Sequence, residues 1–208
     1  KPRPMAESTP RNVLFIVADQ WRGDALSAAG HPAARTPAID SLAAAGTRFA
    51  RHFANASPCG PARASLLTGM YPHNHRSVRN GTPLDARHTT LGLEARRAGL
   101  APALFGYTDT AADPRGRAPA DPALHTYQGV APGFDPVCLM TESAEPWGAF
   151  LRARGHAVPH PVKGIYAPPG PDPFGPAAYA AADSDTAFLT DQALAWLDGR
   201  GGRPWFAH

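Results

Sequence analysis

With 208 residues, 43% of them apolar and only 18% charged, the chain can bury a sizeable core and fits one domain or a large part of one, which excludes disorder throughout. The net charge of +3 comes from 20 scattered Lys and Arg, with no basic run of the kind that binds nucleic acid. No apolar run reaches about 18 residues and the first ten residues lack an apolar leader core, so neither a membrane span nor a signal peptide is read, and a soluble, cytoplasmic protein is the expectation. Cys59 and Cys138 supply neither a disulfide framework nor a CxxC metal pattern, although one bridge between them stays open. The chain opens KPRP before Met5, so Met5 reads as the natural start and residues 1–11 as a disordered or extraneous N-terminus.

The apolar run Asn12–Ala18, rich in branched residues, predicts a central strand buried on both faces. Asp19 and Gln20 follow at its C-terminal end, the edge of an open α/β sheet where ligands bind; the alternative for Asp19 is a turn-capping carboxylate. Thr36-Pro37 followed by AIDSLAAAG carries an N-cap, a first-turn proline and a closing glycine, and predicts a helix packed on the sheet. Thr47–Phe53 alternates like a short strand. SPCGPARASLLTG, Ser57–Gly69, then places Cys59 just before a helix over Pro61–Thr68, where unpaired backbone N–H groups and the positive end of the helix dipole favour an anion.

Further on, His73, His75 and Asn80 could reach the cysteine turn, the histidines more simply as surface or hydrogen-bonding residues. Leu91–Ala98 predicts a helix stopped by Gly99, and Ala101–Phe105 a strand ending in Gly106-Tyr107-Thr108-Asp109. Regular periodicity fails over 110–183, which holds 13 of the 24 prolines and reads as a functional excursion with a short helix at Trp147–Arg154. Its aromatic residues Tyr127, Phe134, Trp147, Tyr166 and Phe174 either line a pocket or pin the excursion to the core. Thr186–Asp198 predicts an amphipathic helix, and Pro204–His208 begins an apolar strand.

The spacing C-x-P-x-R at Cys59, Pro61 and Arg63, followed by A-x-L-L-T-G, resembles the signature of formylglycine-dependent sulfatases and phosphonate monoester hydrolases of the alkaline phosphatase superfamily, and TPAIDSLAAAG matches the family's TPxxDxLAxxG segment. The resemblance implies an α/β fold with a mixed, largely parallel sheet flanked by helices, of which residues 12–208 would be the N-terminal part, truncated. It implies that Cys59 is oxidised to formylglycine by a formylglycine-generating enzyme, and that the hydrated aldehyde is the nucleophile. Asp19, Gln20 and residue 59 would hold one divalent metal ion, manganese, zinc or calcium; Arg63 would hold the nucleophile, and Asn80 and Tyr107 would contact a small anionic ester.

Sulfatases of this family begin with two adjacent acids and carry Gly-Lys-x-His after the next strand, whereas Asp19-Gln20 and Gly106-Tyr107-Thr108 resemble the phosphonate monoester hydrolase branch. Asp109 departs from both, standing where that branch has a hydroxyl residue. The expected activity is hydrolysis of phosphonate monoesters, phosphodiesters or sulfate esters, the alternatives being a plain arylsulfatase or a non-catalytic relative with unconverted Cys59. Family members are more than twice as long and often oligomerise. Their remaining metal ligands lie on a later strand, and they carry a basic residue or His just past the strand that begins here at Pro204; neither is identified in this chain. The 208 residues alone are therefore expected to bind metal poorly.

Overall fold

A computed structural model describes residues 11–208. Contacts divide the chain into two compact units, one made of the segment ending at Phe15 together with Asn55–His208, the other of Ile16–Ala54.

The larger unit is built on a parallel sheet. Strands β1 (Val13–Leu14), β2 (Pro102–Gly106), β3 (Asp135–Leu139) and β4 (Phe206–Ala207) lie in the order β1-β4-β2-β3, with every neighbouring pair parallel. The last strand in the chain is thus inserted between the first and second, Phe206 pairing with Val13 on one side and Pro102 on the other. Parallel neighbours need crossover connections, and the helices supply them. Helix α2 (Cys59–Thr68), the single turn α3 (Pro72–His75) and α4 (Leu91–Arg97) lie between β1 and β2, and α5 (Glu145–Ala153) and α6 (Asp185–Asp198) between β3 and β4. Thr90 caps α4 by accepting a hydrogen bond from Leu93 N–H, and Ser184 caps α6 in the same way through Ala187.

Two apolar clusters hold this unit. Leu67 of α2, Ala95 of α4, Leu104 of β2, Phe134 and Phe206 pack together, with Phe15 against them. Trp147 and Leu151 of α5 pack with Val162, Ile165 and Phe188 of α6 in the second cluster. Trp147 is fully buried and its Nε1–H donates to Asp183 O at 2.8 Å, so its polar edge is satisfied.

Several expectations change. Among the described residues, Asn12–Ala18 forms a strand only at Val13–Leu14, at one end of the strand order, and Leu14 is 58% exposed. An unbroken apolar run signals a strand covered on both faces, but it cannot say which strands will flank it. In the smaller unit, α1 (Pro37–Ala45) forms where the N-cap and first-turn proline place it, and none of its residues is buried. Thr47–Phe53 is an exposed irregular segment, not a strand. The proline-rich stretch is not one loop, since it contains β3 and α5 besides 3-10 turns. Of its aromatics, Trp147 and Phe134 are pinned in the core and Phe174 is exposed.

Candidate active site

Helix α2 begins at Cys59 itself, two residues earlier than the sequence suggests, with Pro58 as its N-cap. Gly60, Pro61, Ala64, Ser65 and Leu67 form its buried side, and Gly69, at φ 70°, closes it with its N–H on Ser65 O at 2.8 Å. Residue 59 is therefore carried at the end of a helix that the core holds firmly.

Asn80 grips that end at two points. Its Oδ1 accepts from Gly60 N–H at 2.9 Å, and its Nδ2 donates to Cys59 Sγ at 3.2 Å. The approach needs Gly60, because a Cβ there would lie 2.9 Å from Asn80 Oδ1. One turn along α2, Arg63 donates from Nη1 to Tyr107 O at 2.8 Å, with its guanidinium 5.0 Å from the centre of the Tyr107 ring. Arg63 thereby ties the nucleophile helix to the end of β2.

The segment after β2 is fixed by its neighbour loop. Thr108, fully buried, donates from Oγ1 to Gly129 O at 3.0 Å and accepts from Ala131 N–H at 2.7 Å. Asp109 follows with a left-handed backbone, φ 56°, and is 6% exposed. Both of its carboxylate oxygens are buried without a hydrogen-bond partner among the described residues. Burial first, and then the Asp109 carboxylate beside it, push the Cys59 thiol up, against a smaller opposing pull from Asn80. As a thiol, residue 59 is thus held protonated near neutral pH and is a poor nucleophile, since the thiolate is the reactive form.

Cys59, Arg63, Asn80 and Tyr107, all candidates from the sequence, come together in the larger unit. Asp19 and Gln20 belong to the smaller unit, where both are exposed in a turn and Gln20 has φ 55°. Among the described residues no three His, Cys, Asp or Glu side chains converge to hold a metal ion. His73 stacks on Tyr71, and His75 is buried with its ring bonded to Ser65 Oγ at 2.9 Å, so both are supporting residues.

Three features escaped the sequence reading. Gly60 is the space for Asn80, and its role appears only once residues 60 and 80 meet. Asp109 is visible as a mismatch but not as a buried group. His208, read only as the end of the apolar run, is hydrogen-bonded to β2, its N–H donating to Ala103 O at 2.8 Å and its O accepting from Phe105 N–H at 2.7 Å. Its Nδ1–H donates to Phe15 O at 2.9 Å, and burial together with the charge of Arg63 hold the imidazole below its usual range against that bond's opposite effect.

The chain spans about two-fifths of the length of the relatives it matches. It is 40% identical over 210 residues to the multifunctional alkaline phosphatase superfamily protein PehA of Trinickia caryophylli, covering 96% of this chain and 41% of that protein. It superposes on the phosphonate monoester hydrolase of Agrobacterium radiobacter with TM-score 0.89 and 51% identity, and on that of Silicibacter pomeroyi with TM-score 0.89 and 48% identity; each superposition covers 95% of this chain and 40% of the other. The Sulfatase family model matches residues 11–208, and with a parallel sheet that carries Cys59 at the start of a buried helix, the chain belongs to the sulfatase family, within the alkaline phosphatase superfamily.

Proposed function

We propose that the protein of which this chain is a part hydrolyses phosphonate monoesters and phosphodiesters, with sulfate esters as a lesser substrate, through a formylglycine made from Cys59. The observation that carries this reading is the grouping of Cys59, Arg63, Asn80 and Tyr107 about the start of α2, in a chain 51% identical to a phosphonate monoester hydrolase over 95% of its length. Conversion of the thiol is an oxidation with loss of sulfur, done by a formylglycine-generating enzyme with dioxygen as oxidant. An aldehyde at residue 59 supplies, once hydrated, two hydroxyls on one carbon, one to attack phosphorus or sulfur and the other to expel the product by C–O cleavage. A divalent cation, manganese, zinc or calcium, would lower the pKa of the attacking hydroxyl and neutralise the ester oxyanions, with Asp19 and Gln20 of the smaller unit as its candidate oxygen donors.

The chain's own groups set the geometry. Asn80 donates to the side chain of residue 59 at 3.2 Å, so a neutral amide orients the nucleophile without changing the charge around it. Arg63 brings a permanent positive charge to the same end of α2, where an anionic ester must lose water to bind. Its guanidinium lies 5.0 Å from the centre of the Tyr107 ring, a cation–π contact that keeps the two side chains together. Tyr107 stands where the other sulfatase branch places a lysine, and a neutral hydroxyl there suits a singly charged ester better than a dianionic one.

Mass spectrometry of the peptide containing residue 59 tests the first step, because conversion lowers its mass by about 18 Da. Steady-state rates on a phenyl phosphonate ester, a phosphodiester and an aryl sulfate then test the substrate order. An unmodified thiol, or an aryl sulfate turned over faster than the phosphonate ester, would overturn the reading.

A further inference from the structure

A carboxylate buried without donors is costly, by several kcal/mol when ionised, and a fold keeps one only where something will satisfy it. Asp109 is such a group. It is 6% exposed, neither oxygen has a hydrogen-bond partner among the described residues, and its backbone is held left-handed by Thr108, which is locked to Gly129 and Ala131. Its neighbour is the side chain of residue 59, which as a thiol offers one weak S–H donor for two empty oxygens. The hydrate of an aldehyde at the same position offers two O–H donors on one carbon. Asn80, on the Sγ of residue 59 at 3.2 Å, supplies a donor rather than an acceptor, so it does not compete for those hydrogens.

We propose that Asp109 is a positioning residue that holds residue 59 in its hydrated form, its two carboxylate oxygens accepting hydrogen bonds from the two hydroxyls. The inference rests on the reading of residue 59 as formylglycine. The step it governs is balanced by water alone: a water oxygen bonds to the carbonyl carbon, the C=O π bond opens, and one proton of the water passes to the carbonyl oxygen, with nothing oxidised or reduced. A threonine in the same place could accept from one hydroxyl, whereas the carboxylate accepts from both and its charge is directed at donors rather than at the incoming anion. This gives the departure at position 109 a use and removes the repulsion that a free carboxylate would present to an anionic ester.

Aminooxy reagents condense with the free aldehyde and not with its hydrate, so the labelling rate of the native protein reads the hydration equilibrium. The full chain is first checked by mass for conversion at residue 59, and each labelling rate is scaled to that of the same variant after denaturation. Asp109→Leu is larger and removes both acceptors, so faster labelling cannot come from opened space; it should label about tenfold faster than the parent, the ratio that one hydrogen bond to a charged group supports. Asp109→Asn, which keeps one acceptor, should fall between. Equal native rates in the parent and Asp109→Leu overturn the proposal, as does a parent protein that labels as fast native as denatured. A residue 59 found as an unmodified thiol overturns the formylglycine reading instead, and the mass measurement tells the two failures apart.

Discussion

Replacing His75 tests how firmly α2 is mounted. The ring is 1% exposed. Ser77 N–H donates to its Nδ1 at 3.0 Å, which makes Nδ1 the acceptor, so Nε2 carries the hydrogen and donates to Ser65 Oγ at 2.9 Å. One neutral tautomer therefore joins α2, through Ser65, to the turn after α3. His75→Leu fills similar space but leaves a backbone N–H and a hydroxyl buried without partners, each costing about 1–3 kcal/mol, so the expected loss is about 3 kcal/mol. Urea unfolding at pH 7.5 should show it as a lower midpoint with an unchanged slope. Ser65→Ala in the His75→Leu background removes one orphan, so the double variant should be more stable than the sum of the single losses by about 1 kcal/mol. A loss below about 1 kcal/mol for His75→Leu, or strictly additive single losses, would refute the picture of a buried ring that clamps two elements.

His75 is held below its usual pKa by burial and then by His88, and His208 by burial and then Arg63. For each ring the unfolded chain binds its proton first, so stability is complete above about pH 6.5 and is lost as pH falls below it. Urea midpoints measured between pH 8 and 5 should drop over the lower half of that range, and His208→Gln should flatten the drop; a midpoint that rises on acidification refutes the assignment. Gly60→Ala puts a Cβ 2.9 Å from Asn80 Oδ1 and forces Asn80 off Gly60 N–H and Cys59 Sγ. The expected cost is about 2 kcal/mol, a melting temperature lower by roughly 4–8 °C, and an unchanged melting curve would show that Asn80 can move without loss. Arg63→Lys keeps the charge but loses the planar guanidinium that bonds Tyr107 O and lies 5.0 Å from the Tyr107 ring, and the whole protein's kcat on a phosphonate ester should fall roughly a hundredfold; full activity with lysine would mean that charge alone suffices.

Local signals carried most elements of the larger unit into the sequence reading. Gly69 as a stop, and the apolar runs at Ala101–Phe105 and Pro204–His208, each follow from chemistry within a few residues. β3 lies in the proline-rich stretch where regular periodicity fails, yet among the described residues it is an edge strand, where proline is tolerated. β1 was misplaced for the converse reason, since an apolar run reports the company a strand could keep and not its neighbours.

The site divides along the same line. Cys59, Pro61 and Arg63 are joined by helix geometry, so their spacing alone puts them at one end of α2. Asn80 and Tyr107 needed the family pattern, because they arrive from separate loops. Asp109 was legible only as a charge in the wrong place, since its burial is made by Gly129 and Ala131, some twenty residues on, fastening Thr108. Burial reverses its meaning. A solvated carboxylate would weaken binding of an anion, whereas one with no donor left demands hydrogens from residue 59, and only the hydrated form of that residue has two to give.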